Sequence, residues 1–236
     1  MGLVLLPGLD GTGRLFAPLL QALPPHLRAT VVRYPPDVPL GYPALRERVR
    51  AELPRDGPYL LVGESFSGPV ALWLAATAPE GLRGVVLAGS FVRSPAPLSA
   101  LLAPFAAWVR LPTPAWALRL ALAGRDAPAS VCQAVHDAVT SVDRGVLAQR
   151  AQEVLRVDAR AALRACPVPL LYLAGKRDLL VPLRVAQSLR RLRPDLELHV
   201  LDAPHLILQR QPVVAAQVIA AFAARCATRQ PSLERP

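Results

Sequence analysis

The chain has 236 residues, 53% of them apolar and 19% charged, enough to bury one sizeable core. Its formal charge of +10 would point to nucleic acid or an anionic membrane, yet the cations are almost all arginine, with Lys176 the single lysine. There is no five-residue basic block and no basic run interleaved with aromatics, which excludes the usual signature of a nucleic-acid binder. A positive field by itself still leaves an acidic acyl-carrier protein as a conceivable partner.

In chain order, the first element is the apolar run Leu3–Leu6, with no basic region before it and no cleavage site after it, so it reads as a strand and not a signal peptide. A glycine-rich loop, Pro7-Gly-Leu9-Asp-Gly11-Thr-Gly13, follows. Strand-like runs recur at Thr30–Arg33, Tyr59–Val62, Val85–Ala88, Leu170–Ala174 and Leu196–Leu201, with longer helix-like segments between them. Continuous apolar runs alternating with helices predict an α/β fold, a mainly parallel sheet flanked by helices on both faces. In such sheets ligands bind beyond the carboxyl ends of the strands, so the residues after each run are the ones to inspect.

The alternation breaks between the fourth and fifth runs. Residues 92–166 hold no strand-like segment, while Ser130–Val142 and Arg144–Val157 carry apolar residues at helical spacing and Leu101–Val109 and Trp116–Leu122 are apolar nearly all round. This interval reads as a helical cap inserted after the fourth strand, with residues 1–91 and 167–227 forming the core and 228–236 a frayed tail. Trp108 and Trp116 suit a cavity wall or packing within the cap equally well, and neither receives a site role. The apolar stretch Ala96–Ala123 is interrupted by Arg110, Arg119 and several prolines, which excludes an ordinary membrane span. Three distant cysteines, at 132, 166 and 226, suggest neither a disulfide framework nor a zinc site, and a cytoplasmic protein is expected.

The chemistry concentrates at Tyr59-Leu-Leu-Val-Gly63-Glu-Ser65-Phe-Ser67-Gly68-Pro-Val, a strand, a tight polar turn and an apolar helix. A serine squeezed between strand and helix is lifted clear of the backbone, and small residues two before and two after let the chain pass. Gly63 and Ser67 take those places around Ser65; Ser67 as nucleophile would put Ser65 and Pro69 there, a poorer fit. A serine needs a base, and of His26, His136, His199 and His205 only His205 falls just beyond a strand end. The base needs a carboxylate to fix its tautomer. Asp178, after the run Leu170–Ala174, is preferred over the competing Asp202, giving the chain order Ser, Asp, His. Two N–H donors for an oxyanion are expected from Phe66 and from Leu9, since Pro7 has no N–H. The early glycines also invite a dinucleotide reading, but Gly11-Thr-Gly13-Arg-Leu-Phe16 lacks the third glycine and no acidic residue closes the second strand. No cofactor and no metal is expected.

Through Pro7-Gly8-Leu9-Asp10-Gly11, Gly63-Glu-Ser65-Phe-Ser67, Gly175-Lys-Arg-Asp178 and Pro204-His205 the chain resembles the α/β-hydrolase superfamily, most of all small bacterial esterases, including the carrier-protein methyl ester esterase type. The resemblance implies the α/β-hydrolase sheet with its inserted cap and acyl-enzyme chemistry on Ser65. It departs from the pattern at Ser67, where glycine is usual, and at Pro7, where histidine often precedes the oxyanion glycine. The expected activity is carboxylesterase hydrolysis of a small to medium, largely apolar ester. A thioesterase or acyltransferase would use the same triad. From a different class, a ligand-binding receptor could keep the pocket without turnover.

Overall fold

A computed structural model describes residues 1–94 and 120–228. Six strands, β1 (Gly2–Leu6), β2 (Arg28–Val31), β3 (Tyr59–Glu64), β4 (Leu82–Ala88), β5 (Leu170–Gly175) and β6 (Glu197–Leu201), form one all-parallel sheet in the order β2-β1-β3-β4-β5-β6. The central strands are buried on both faces because successive side chains feed two cores: Val4, Leu6, Leu61, Val85 and Leu87 face one, Leu3, Leu5, Leu60, Val62 and Val86 the other. The first core is closed by α2 (Tyr42–Ala51), α3 (Gly68–Ala75), α6 (Arg160–Ala165) and α7 (Leu183–Leu192); the second by α1 (Ala17–Ala22), α8 (Ile207–Arg210) and α9 (Pro212–Thr228). Cys166 and Cys226 lie in opposite cores, so no disulfide joins these two.

Between β4 and β5 stand α4 (Ala129–Thr140), α5 (Arg144–Arg156) and α6. The Asp143 side chain caps α5 by accepting the Gly145 N–H at 2.6 Å. Although α6 falls inside the interval set apart by the sequence, Ala162 and Leu163 pack into the sheet's first core. The expected helix Leu101–Val109, most of Trp116–Leu122, both cap tryptophans and the tail beyond residue 228 lie outside the described residues. The second strand is displaced from the expected Thr30–Arg33 to Arg28–Val31. It is an edge strand paired only with β1, so half its residues face water and apolar runs mark it poorly. Among the described residues no helix is long and apolar enough to cross a membrane.

Candidate active site

The strand order reverses between β1 and β3: the chain leaves β1 toward β2 on one side and later returns to build β3 on the other. The crevice beyond the carboxyl ends of these strands is where a doubly wound sheet offers a binding site. Both expected motifs lie there, the Pro7–Gly13 loop after β1 and the Ser65 turn after β3.

Ser65 opens a 3-10 turn, Ser65–Ser67, that leads into α3, and its φ of 47° is left-handed. A non-glycine residue there is strained by about 1 kcal/mol or more, and the surroundings must hold it in place. Ser90, just beyond β4, does so by donating its Oγ proton to the Ser65 carbonyl at 2.6 Å. The turn is tight enough that a Cβ on Gly63 would come within 2.9 Å of the Gly68 Cα and of the Ser67 carbonyl. Gly68 thus takes the close-packing role that a glycine at position 67 would have had. Ser67 uses its side chain instead: its buried hydroxyl donates to the Pro7 carbonyl and accepts from the Tyr34 hydroxyl at 2.7 Å. Burial raises the Tyr34 pKa, so the phenol keeps the proton it donates.

The four histidines separate by environment. His26, His136 and His199 are exposed, whereas His205 is buried. The His205 Nε2 lies 2.9 Å from the Ser65 Oγ and its Nδ1 lies 2.8 Å from the Asp178 Oδ2. The other oxygen, Oδ1, accepts the N–H groups of Leu180 and Val181, each at 2.8 Å, which aims Oδ2 at the imidazole. Asp202 is exposed and accepts the Arg177 guanidinium at 2.9 Å, away from the imidazole. Gly89 adjoins the pair in the left-handed region, at a φ of 53°, where a Cβ would also press to 3.2 Å from the His205 carbonyl oxygen. Burial disfavours the His205 imidazolium, but the charge and hydrogen bond of Asp178, with Glu64 behind, outweigh it and hold the pKa above 6.5.

Gly8, Leu9 and Phe66 line the same cavity as Ser65 and His205. The Gly8 carbonyl accepts the Gly11 N–H at 3.0 Å. In a trans peptide N–H and C=O point oppositely, so the Leu9 N–H is turned away from that bond. The Phe66 N–H is in the first turn of its helix, where no intrahelical acceptor exists. Its ring stacks on Tyr42 at 4.7 Å, and the Tyr42 hydroxyl donates to the Phe66 carbonyl at 3.0 Å. Among the described residues Asp10 and Glu64 also reach the cavity, and the rest of its wall is apolar: Leu15, Phe91, Leu122, Val135 and Val139 of α4, Leu147 and Val154 of α5, and Leu180, Val181 and Leu206.

Among the buried ionisable groups next to the site, Glu64 and Arg150 escaped the sequence reading. Glu64, the residue before Ser65, accepts the Gln209 amide at 2.8 Å; burial pushes its pKa up to about 7, with Asp10 adding to the rise and Gln209 and His205 opposing it. Arg150 of α5 is fully buried against the Leu9 loop. A signal for it existed: position 150 follows Leu147 by three residues and precedes Val154 by four, on the apolar face of a helix. Among the described residues no group of three or more His, Cys, Asp or Glu is placed to hold a metal ion.

A single chain of hydrogen bonds thus joins a serine on a strained strand-to-helix turn to a buried imidazole and an oriented carboxylate, the layout of an α/β hydrolase. The chain belongs to the alpha/beta hydrolase family, whose model matches residues 3–218. Solved structures similar to it include an enol-lactonase from Burkholderia xenovorans LB400, 20% identical over 94% of this chain and 91% of that one, with a TM-score of 0.82. A thermophilic esterase from Thermogutta terrifontis is 22% identical over 97% of this chain and 91% of that one, at 0.81. A bromoperoxidase from Bacillus anthracis is 18% identical over 94% and 91%, at 0.82. No curated protein matches the sequence.

Proposed function

We propose that the protein is a serine hydrolase acting on carboxylic esters with a largely apolar acyl group. The observation that carries this reading is the Ser65–His205–Asp178 hydrogen-bond chain, with spacings of 2.9 and 2.8 Å, whose Ser65 and His205 line a largely apolar cavity. Ser65 Oγ attacks the ester carbonyl while His205 Nε2 takes its proton, and Asp178 stabilises the resulting imidazolium. The Leu9 and Phe66 N–H groups receive the oxyanion. His205 then protonates the departing alkoxide; a water molecule, deprotonated by the same imidazole, attacks the acyl carbonyl, and His205 returns that proton to Ser65 Oγ as the carboxylic acid leaves. Helices α4 and α5 serve as the cap over the acyl chain.

Incubation with a fluorophosphonate followed by peptide mass mapping should place one adduct on Ser65, and the protein should turn over p-nitrophenyl esters repeatedly. Ser65→Ala should abolish both. An adduct on Ser67, or none, would defeat the assignment.

A further inference from the structure

Among the described residues Arg150 is the largest fully buried side chain, yet no carboxylate pairs with it directly. Its Nη1 donates to the carbonyls of Leu9 at 3.0 Å and Asp10 at 2.7 Å, its Nη2 donates to the carbonyl of Pro35 at 2.8 Å, and the guanidinium lies 5.6 Å over the Tyr34 ring. Among the described residues the Nε has no hydrogen-bond partner. Burying a guanidinium this way is costly, and an apolar residue of similar size would serve stability as well or better. What the guanidinium supplies is geometry. A planar fork reaches carbonyls on two separate segments and pins them at once. The turn closes tightly on it, since a Cβ on Gly11 would stand 2.5 Å from Nη1.

The helix that carries Arg150 also walls the cavity, through Leu147 one turn before it and Val154 one turn after. The same element therefore touches the space for the acyl chain and the turn that bears Leu9. We infer that Arg150 is a positioning residue: by holding the Leu9 and Asp10 carbonyls it fixes the Gly8–Gly11 turn with the Leu9 N–H facing the oxyanion. The inference rests on the esterase reading above. Arg150 touches no reacting atom; it acts through Leu9.

The test compares Arg150→Lys and Arg150→Ala with Asp143→Ala, which removes the cap of α5 but reaches neither cavity nor turn. Melting temperature, kcat and KM on p-nitrophenyl butyrate, and affinity for an alkyl trifluoromethyl ketone, whose adduct carries an oxyanion, are measured for each. Both Arg150 variants should lose roughly 10–100-fold in kcat with KM changed less than about twofold, and ketone affinity should fall in proportion. Added guanidinium at millimolar concentration should restore part of the kcat of Arg150→Ala. Asp143→Ala should melt earlier with kcat intact. If Arg150→Ala does not fold, Arg150→Lys decides, because it keeps the charge and loses the fork. Wild-type kcat and ketone affinity in Arg150→Lys, or a loss that merely tracks melting temperature as in Asp143→Ala, would overturn the role while leaving the esterase reading standing. A wild type that neither labels at Ser65 nor turns over overturns that reading, and this one with it.

Discussion

Asp178 divides its two oxygens between different tasks, one fixed by the Leu180 and Val181 N–H groups and the other facing His205. An asparagine in its place would keep Oδ1 on the two N–H groups and turn its NH2 toward the imidazole Nδ1. The proton would be driven onto Nε2, where the proposed mechanism needs a base for Ser65. Asp178→Asn should therefore reduce kcat by about 10⁴-fold while the fold persists. The pH profile should move as well. The carboxylate's charge and hydrogen bond overcome burial to raise the His205 pKa, and the proposed mechanism uses the neutral imidazole as base, so the rate should rise with pH through that pKa. With the charge removed, burial acts nearly alone, and the acidic limb of kcat/KM should move to lower pH. A limb that stays in place would show that Asp178 does not set the basicity of the imidazole.

At the scale of elements, the elbow differs from the common G-x-S-x-G form because its parts are shared out differently. Gly68 supplies the close approach to Gly63, which frees Ser67 to tie the turn after β3 to the loop after β1 through the Pro7 carbonyl and Tyr34. Ser67→Gly would restore the common motif yet leave that carbonyl and phenol buried without their partner. The variant should be less stable by about 1–3 kcal/mol, measured by urea denaturation, with the melting transition still cooperative. Unchanged stability would mean that water replaces the hydroxyl. This tie also shows what could be read from the sequence and what could not. Ser65, Asp178 and His205 were legible because each follows an apolar run, and a parallel sheet gathers such endings at one rim. Ser67 was legible as a departure from a pattern, but its partner Pro7 is 60 residues away and makes contact only once β1 and β3 pair. Arg150 was obscured by the abundance of arginine: one guanidinium among many looks like surface until the helix face that carries it is known to be buried. The edge strand β2 was misplaced for the opposite reason, since half-exposed strands dilute the apolar signal.

The whole molecule adds a term that neither residue nor element shows alone. Ser65 and His205 are 140 residues apart, and the carboxyl ends of β1, β3, β5 and β6 must all be in register before the site forms. Closing that rim buries Glu64 among Asp10, Gln209 and His205. Its pKa stands at about 7 in the folded protein against 4.5 for an ordinary glutamate, so the folded state holds this proton more tightly than the unfolded chain does. By linkage, the Glu64 contribution to stability is full below about 4.5, declines as pH rises toward 7, and is constant above. At roughly 1.4 kcal/mol per pH unit, the loss amounts to about 3 kcal/mol. Glu64→Gln keeps an oxygen for the Gln209 amide and cannot ionise. The variant should match the wild type near pH 4.5 and exceed it by up to about 3 kcal/mol near pH 8, as measured by urea denaturation of both proteins across that range. The His205 contribution runs over a neighbouring window, present below 6.5 and lost as pH rises through its elevated pKa, but it is common to both proteins and largely cancels in the difference. What does not cancel is the attraction between the Glu64 carboxylate and the imidazolium. Its effect is to concentrate the gain at the alkaline end, where His205 is neutral. A stability difference independent of pH would mean that Glu64 is ionised at little cost, through water reaching it from the cavity.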